Sequence, residues 1–271
     1  MAYNSHQRWV TTVDQMGREV RFAYPPLRIV SLVPSQTELL FDLGLQKQLE
    51  GITKFCTHPQ NARHQVRVVG GTKNFDFAKI KEARPDLIIG NKEENYQEGI
   101  AELAQHYPVW MSNVTDLPEA LAMIRRIGAI TGKLSLAEPL VATIQNEFNR
   151  LLTPAALQPV AYFIWRKPYM VAASGTFIDD MLQRAGFSNV FAHLGRYPEV
   201  TPEQLAKAAP ARIFLSSEPY PFKEKHLTEF REICPAAVIQ LVDGELFSWY
   251  GSRLRLSATY FQTLRAAPAA E

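Results

Sequence analysis

The chain has 271 residues, of which 46% are hydrophobic and 21% are charged, a composition typical of a folded globular protein. Its length allows one large domain or two smaller domains that each bury a core. The 29 basic and 27 acidic residues leave a net charge of +2. This charge is too small to indicate nucleic acid or an anionic membrane as a partner.

No apolar run reaches the roughly 18 residues of a membrane span, so no transmembrane helix is predicted. The first residues, Met1 to Arg8, are polar and lack the apolar stretch of a secretory signal. A cytoplasmic location is therefore expected, or a periplasmic one if a signal has been removed. The two cysteines, Cys56 and Cys234, are too few for a disulfide framework or a four-cysteine zinc site.

The first predicted elements are a hairpin and an alternating series of strands and helices. Two short strands flank a turn at 14–17, and an apolar run at 28–34 is typical of a buried parallel strand. The helix that follows has Ser35 or Thr37 as its expected cap. Further strands are predicted at 50–53, 87–90 and 109–112, and helices at 76–82 and 98–105.

The stretch 116–152 has helical spacing throughout, with Gly128, Gly132 and Pro139 indicating a break. After it, the alternation of strands and helices resumes. The segments that carry this second series are 160–164, 178–182, 213–217 and 238–241. This order predicts an α/β fold with two lobes.

Two segments of the first half resemble segments of the second. Residues 76–85 and 201–210 each begin with a capping residue and end with a proline, and a glutamate, Glu93 or Glu218, stands eight positions beyond. Residues 38–44 and 180–186 form a second matching pair. Two matches in the same order predict a duplicated lobe, with the two glutamate loops facing each other across a cleft.

The sequence also resembles a known family. The motifs are Arg28-Ile-Val-Ser-Leu-Val-Pro-Ser-Gln-Thr-Glu-Leu-Leu, Gly70-Gly-Thr72 and Pro85-Asp-Leu-Ile-Ile. In this order they look like the helical-backbone substrate-binding proteins of ABC importers, which include vitamin B12, haem and siderophore binders. The resemblance implies two Rossmann-like α/β lobes joined by a single long linker helix, with the ligand in a cleft between the lobes.

Four regions follow from this prediction. Residues 1–24 form a hairpin packed on the first lobe, 25–132 the amino-terminal α/β lobe, 133–156 the linker helix, and 157–271 the carboxy-terminal α/β lobe. We expect the protein to be a monomer.

The resemblance also implies positions for docking and for ligand contact. Vitamin B12 binders meet their membrane permease through one surface glutamate per lobe, and these positions are Ala78 and Glu203 here. An ABC permease is thus an expected partner that docks through Glu203, weakened by the alanine in the first lobe. The ring-binding aromatic positions match Phe55, Thr72 and Tyr197.

In the first lobe, the loop after the second strand contains Phe55, Cys56 and His58. Cys56 and His58 could be soft metal ligands, or the loop could simply be turned by Pro59. Lys73 could meet an anionic group or be a solvated lysine on a turn. Similarly, the glutamate pair that includes Glu93 could bind ligand or begin a helix.

In the second lobe, Trp165 and Arg166 follow a strand end, where a planar anionic ligand could stack and form an ion pair. The same chemistry is available in the segment from Ser248 to Arg253, although Trp249 could instead pack in the core. The predicted ligand-binding residues are Phe55, His58, Lys73, Glu93, Trp165, Arg166, Tyr197, Glu218, Trp249, Tyr250 and Arg253.

No Walker motif, dinucleotide fingerprint or nucleophile elbow is present, and no enzyme activity is predicted. The expected function is binding of a corrinoid, haem, siderophore or metal chelate. No cofactor is assigned beyond a bound metal, metal chelate or tetrapyrrole as ligand. One alternative is a cytoplasmic metal-handling protein or enzyme that uses Cys56, His58 and the glutamates in the same cleft. Another is a soluble sensor that reports ligand to a protein partner.

Overall fold

The computed structural model describes residues 8–151 and 154–266, which divide into two compact units. The amino-terminal unit comprises 8–114, 118–143 and 250–253. The carboxy-terminal unit comprises 115–117, 254–266 and the described part of 144–249. The predicted regions also covered 1–7, 152–153 and 267–271, which lie outside the described residues.

The predicted hairpin is present in the amino-terminal unit. Strands β1 (Arg8–Val13) and β2 (Glu19–Tyr24) pair antiparallel. Asp14 holds their turn, because its Oδ1 accepts hydrogen bonds from the backbone N–H groups of Met16 and Arg18 at 2.9 Å each. Its Oδ2 accepts from the backbone N–H of Met111 at 3.2 Å, which ties the hairpin to this unit.

The main sheet of the amino-terminal unit has four parallel strands in the order β4-β3-β5-β6. Strands β3, β5 and β6 are buried along their whole length, which explains their continuous apolar runs. The strands are β3 (Ile29–Ser31), β4 (Leu49–Ile52), β5 (Leu87–Asn91) and β6 (Val109–Ser112). The helices between them are α1 (Pro34–Asp42), α2 (Ala62–Gln65), α3 (Phe77–Ala83) and α4 (Gln97–Ala104).

The predicted helical stretch contains two helices, α5 (Leu117–Ile130) and α6 (Leu134–Asn149). Gly132, with φ of +72°, lies in the turn between them. The division between the two units falls inside α6, between Thr143 and Ile144. Helix α6, which contains this division, lies within the segment 133–156 predicted as the linker helix, of which 152–153 lie outside the described residues.

The carboxy-terminal unit repeats the topology of the first. Parallel strands β9 (Phe187–Asn189), β7 (Gln158–Trp165), β10 (Arg212–Ser216) and β11 (Val238–Val242) lie in this spatial order, so both sheets follow the pattern second-first-third-fourth. A short strand, β8 (Met170–Val171), pairs antiparallel with β7. The helices are α7 (Phe177–Arg184), α8 (Pro202–Ala208), α9 (Leu227–Ile233), α10 (Glu245–Ser248) and α11 (Leu254–Ala266).

The sequence repeat corresponds to a structural repeat. Asp76 caps α3 and Thr201 caps α8, in each case by accepting from the backbone N–H three residues on. Each helix ends at a left-handed residue, Arg84 or Ala209, with φ of 45° and 43°. A proline and a buried strand, β5 or β10, follow each of them.

Two predictions differ from the structure. Neither Ser35 nor Thr37 caps α1, because the helix begins at Pro34 after Val33 and both residues lie within it. Residues 250–253, predicted to belong to the second lobe, are part of the amino-terminal unit. Among the described residues, no helix has both the length and the hydropathy needed to cross a membrane.

Candidate ligand-binding site

Several of the residues that the sequence singled out follow the carboxyl ends of strands: Phe55 and Glu93 in the amino-terminal unit, and Trp165 and Glu218 in the carboxy-terminal unit. In open parallel sheets, ligands bind where the strand order reverses, outside the carboxyl ends of the strands. These points lie between β3 and β5 in the amino-terminal unit, and between β7 and β10 in the carboxy-terminal unit. The loops after these strands and their neighbours are therefore the candidate site in each unit.

Asn91 and Asn95 organise the loop after β5. The Oδ1 of Asn91 accepts from the backbone N–H groups of Glu93 at 2.8 Å and Glu94 at 3.1 Å. The amide of Asn95 donates to the carbonyls of Leu32 and Thr72 at 3.1 Å each, and so joins three loops. Sequence reasoning missed Asn95, although an asparagine four residues after Asn91 at a strand end is a recognisable turn signal.

The structure brings together two of the predicted residues on this unit. The Nζ of Lys73 donates to the backbone carbonyl of Glu93 at 2.7 Å. Nearby in sequence, Phe55 is 50% exposed, and the Nζ of Lys54 lies 5.0 Å from its ring centroid. A large exposed ring at the end of a buried strand is free to stack on a ligand.

Cys56 is buried and engaged with two hydroxyl groups. Its Sγ lies 3.2 Å from the Oγ1 of Thr37 and 3.3 Å from that of Thr53. Burial raises the pKa of the Cys56 thiol above its ordinary value, which keeps it protonated and unreactive. Within 8–151 and 154–266, no cluster of three or more His, Cys, Asp and Glu side chains is arranged to hold a metal ion, including around Cys56 and His58.

Tyr250 and Arg253 pack on the amino-terminal unit. Arg253 donates to both carboxylate oxygens of Glu38, from Nε at 3.0 Å and from Nη2 at 2.9 Å. Both side chains are only 11% exposed. Burial raises the pKa of Glu38, and the attraction of Arg253 and of the half-buried His58 opposes this rise. Tyr250 is buried and donates to Glu94 Oε1 at 2.8 Å.

Glu218 occupies the position in the carboxy-terminal unit that repeats Glu93. Its Oε1 accepts from Ser248 Oγ at 2.6 Å and from Trp249 Nε1 at 3.0 Å. Burial raises the pKa of Glu218, and the neighbouring Glu245 and Asp243 add to this, against the hydrogen bonds from Ser248 and Trp249. Trp249 is 6% exposed and packs in the core, the alternative that its sequence left open.

Trp165 and Arg166 lie at the carboxyl end of β7 with different surroundings. Trp165 is 39% exposed and meets Tyr220 edge to face, with ring centroids 5.6 Å apart. Arg166 forms an ion pair with Glu229, Nη2 to Oε2 at 2.7 Å, and Tyr169 donates to the other carboxylate oxygen. Sequence reasoning did not place Tyr220 or Glu229 in the site.

Tyr197 and Glu203, the remaining predicted residues of the carboxy-terminal unit, lie in the loop before α8 and in α8 itself. Tyr197 is half-buried, with the guanidinium of Arg196 5.8 Å from its ring centroid. Glu203 is an exposed residue of the first turn of α8, and Ala78 is exposed at the equivalent position of α3. A cavity of about 410 Å³ in the carboxy-terminal unit is lined by Lys167, Pro168, Tyr169, Glu199, Val200, Thr201 and Pro202.

These features define a class of small-molecule-binding protein with two α/β units, built like the substrate-binding proteins of ABC importers. Residues 29–232 match the family described as periplasmic binding protein, and the chain belongs to this family. The importer class predicted from the sequence is therefore confirmed, and the alternative of a metal-handling protein or enzyme is not favoured.

Named relatives agree with this assignment. A vitamin B12-binding protein of Pectobacterium carotovorum is 25% identical over 240 residues, which cover 86% of each chain. An ABC transporter substrate-binding lipoprotein of Bacillus subtilis is 25% identical and covers 75% of this chain and 68% of its own length. A periplasmic haem-binding protein of Pseudomonas aeruginosa is 20% identical, with a TM-score of 0.76 over 91% of this chain and 95% of its own. The expected cytoplasmic location finds no support among them.

Proposed function

We propose that the protein binds a large flat macrocycle of the corrinoid or haem type and delivers it to an ABC permease. The observation that carries this proposal is the exposure of Phe55 and Trp165 at the carboxyl ends of the two sheets, at 50% and 39%. The vitamin B12-binding and haem-binding relatives support the ligand class.

The physical argument rests on the cost of exposed aromatic surface. A phenylalanine or tryptophan ring left in water contributes nothing to stability, whereas burial against a ligand face is favourable. Both rings lie where parallel sheets bind ligands, and both have neighbours that hold them in place. Lys54 lies against Phe55, and Tyr220 lies against Trp165.

The test is equilibrium binding of cyanocobalamin and haemin to the full chain, measured by calorimetry. Loss of a stacked ring costs about 1–3 kcal/mol, so we expect Phe55→Ala and Trp165→Ala to weaken binding roughly tenfold to a hundredfold. The matched control is Trp9→Ala, because Trp9 is 55% exposed on β1 of the hairpin and belongs to none of the loops that follow the strands of the two parallel sheets. Unaltered affinity in both site variants, or an equal loss in the control, would contradict the proposal.

The partner and the location follow from the same family assignment. Glu203, exposed on α8, is the proposed contact with the permease, and the relatives favour a site of action outside the cytoplasm. Fractionation of cells that produce the native protein measures the location directly. A protein found only in the cytoplasmic fraction would remove the delivery role and leave ligand binding to be judged by calorimetry.

A further inference from the structure

A loop of the carboxy-terminal unit is held by two buried side chains. This segment, 219–226, leads from β10 to α9 and ends in a single 3₁₀ turn; we call it the aromatic loop. The backbone N–H groups of Tyr220 and Phe222 donate to carbonyls of β7 and β10 at 3.3 Å each, which are long hydrogen bonds. Phe222 and His226 are the buried residues of the aromatic loop, each 5% exposed, so its position depends on these two side chains.

The imidazole of His226 closes the end of the aromatic loop by accepting a hydrogen bond. Its Nδ1 accepts from the backbone N–H of Lys223 at 2.9 Å, and the backbone N–H of His226 donates to the carbonyl of Lys223 at 2.8 Å. Because a backbone N–H can only donate, Nδ1 carries no proton, and the neutral ring has its proton on Nε2. This Nε2 lies 3.5 Å from the Tyr220 hydroxyl, at the limit of hydrogen-bond distance.

The same imidazole packs among aromatic rings. Its centroid lies 5.6 Å from that of Tyr220 and 5.7 Å from that of Phe222, and these two rings are 4.8 Å apart. Tyr220 in turn meets Trp165 edge to face, with centroids 5.6 Å apart. A series of ring contacts therefore connects His226 to the exposed Trp165 at the end of β7.

The charged groups near His226 disfavour a positive charge on its ring. They come from its own loop, from the end of β7 and from α9, and they are Lys223, Lys225, Arg166 and Glu229. Arg166 and Glu229 form an ion pair with each other at 2.7 Å, so their effects on the ring largely cancel and the two lysines remain. Burial lowers the pKa of His226 below its ordinary value near 6.5, and the three cations add to this against Glu229.

Protonation of His226 disrupts this arrangement at one atom. An imidazolium carries a proton on each nitrogen, so Nδ1 becomes a donor that faces the N–H of Lys223, which is also a donor. The hydrogen bond that closes the turn is then lost, and a charge stands in a buried position beside two lysines. The protonated ring is therefore more stable in water than in the aromatic loop as the structure shows it.

We propose that His226 is a pH-sensitive switch, which holds the aromatic loop closed when it is neutral and releases the loop when it is protonated, so that mild acid separates Tyr220 from Trp165. The switch itself does not depend on which ligand the protein binds. Its consequence for the ligand rests on the proposed function: if Trp165 stacks on the ligand, release of Tyr220 removes the ring that holds Trp165 in place, and binding weakens in mild acid.

The direction of the effect follows from proton linkage. The closed loop lowers the pKa of His226 and the open loop restores the ordinary value, so the open form binds more protons as the pH falls. Closure is therefore most favourable above the ordinary pKa and is lost as the pH falls through the lowered one. Glu218, the titratable residue directly before the loop, acts in the opposite sense, because folding raises its pKa. Loss of closure in acid thus reports on His226 and not on Glu218.

Hydrogen–deuterium exchange of the full chain measures closure of the aromatic loop. Peptides that cover 219–226 are compared at about pH 7.5 and about pH 5.5 after correction for the intrinsic exchange rate, and the native protein should lose protection about threefold or more in acid. His226→Asn offers Lys223 a neutral acceptor that does not titrate, so this pH dependence should disappear. His106→Asn is the control, because His106 is exposed in the amino-terminal unit, and it should keep the native pH dependence.

A second measurement on the native protein keeps the test decisive if asparagine fails to hold the loop. The midpoint of the loss of protection should coincide with the pKa of the His226 imidazole, measured by NMR. Equal protection at both pH values, a midpoint away from this pKa, or an acid loss that persists in His226→Asn overturns the switch.

Calorimetry with cyanocobalamin at the same two pH values separates the switch from the proposed function. Weaker binding in acid by the native protein, but not by His226→Asn, supports both. An opening loop with unchanged affinity keeps the switch and contradicts the contact of Trp165 with the ligand. If cyanocobalamin and haemin bind at neither pH, the proposed function fails, and the exchange data alone decide on the switch.

Discussion

Glu218 is a residue whose protonation should affect stability. Its side chain is half-buried, and burial raises its pKa above the ordinary value near 4.3 despite the hydrogen bonds from Ser248 and Trp249. The folded state thus holds this proton more tightly than the unfolded state, and stability is lost as pH rises through the raised pKa. Glu218→Gln removes this loss. The melting temperature of the variant minus that of the native protein should therefore rise as the pH increases above about 4.

A residue with the opposite shift provides the control. Glu203 is exposed, and a hydrogen bond with Thr201 lowers its pKa. Its ionised form is favoured by folding, so the difference for Glu203→Gln should fall over the same pH range, or stay flat where solvent screens it. Melting curves followed by circular dichroism give both differences. A falling difference for Glu218→Gln would show that its carboxylate is not desolvated.

Single residues were also where sequence reasoning was least complete. The sequence shows that Trp249 and Tyr250 are adjacent aromatic residues, and for this reason both were predicted to contact the ligand. It does not show that each meets a half-buried carboxylate far away in sequence, Glu218 or Glu94. The ion pair of Arg166 was equally hidden from the sequence, because its partner Glu229 lies 63 positions away. Such pairings depend on the tertiary fold, and no local pattern encodes them.

At the scale of elements, the repeat of α3 and α8 places Ala78 and Glu203 at equivalent positions, each two residues after the capping residue. If docking uses one glutamate at this position of each unit, this protein supplies only one of the two negative charges, because Glu203 is present and Ala78 replaces the other. We therefore expect Ala78→Glu to strengthen binding to a vitamin B12-type permease about fivefold, since exposed charges mainly improve encounter and register. Surface plasmon resonance with the permease in detergent measures this change.

The control adds the same charge elsewhere on the amino-terminal unit. Ala101→Glu changes an exposed alanine on α4, outside the repeated helix. It should leave permease binding unchanged, whereas Glu203→Ala should weaken it. Equal effects of Ala78→Glu and Ala101→Glu would mean that net charge, and not the position on α3, governs docking.

Elements with strong periodicity could be predicted from the sequence, and short or remote ones could not. The strands β3, β5 and β10 could be predicted as apolar runs because they are buried on both faces. A two-residue strand such as β8 has no period to detect, since it exists only through its pairing with β7. Helix α11 has no counterpart among the predicted elements, although Leu254, Phe261 and Leu264 follow helical spacing.

At the scale of the whole molecule, residues 250–253 connect distant parts of the sequence. They follow α10 of the carboxy-terminal unit, yet they pack in the amino-terminal unit, where a side chain at Gly251 would collide with Ser35 of α1. Arg253 and Glu38 are 215 residues apart in sequence. The alternation of strands and helices in each unit could be predicted from the sequence, whereas this return of the chain has no sequence signal.

The ion pair of Arg253 with Glu38 should therefore contribute to stability. Arg253→Met leaves a mostly buried carboxylate without its guanidinium partner, which costs about 3 kcal/mol when one member of a buried pair is removed. Adding Glu38→Gln to this variant removes the uncompensated charge and should restore most of the loss. Urea unfolding of the native protein, the two single variants and the double variant gives the coupling between these residues.

An exposed ion pair of the same unit provides the control for the stability change in Arg253→Met. Arg67 and Glu82 lie 3.0 Å apart with side chains 44% and 66% exposed, so Arg67→Met should cost less than about 1 kcal/mol. If Arg253→Met costs no more than Arg67→Met, the pair does not hold 250–253 on the amino-terminal unit. We would then expect Arg253 to act in ligand binding, as its sequence suggested, so that its replacement weakens macrocycle binding instead of stability. The two measurements together decide which role this arginine has.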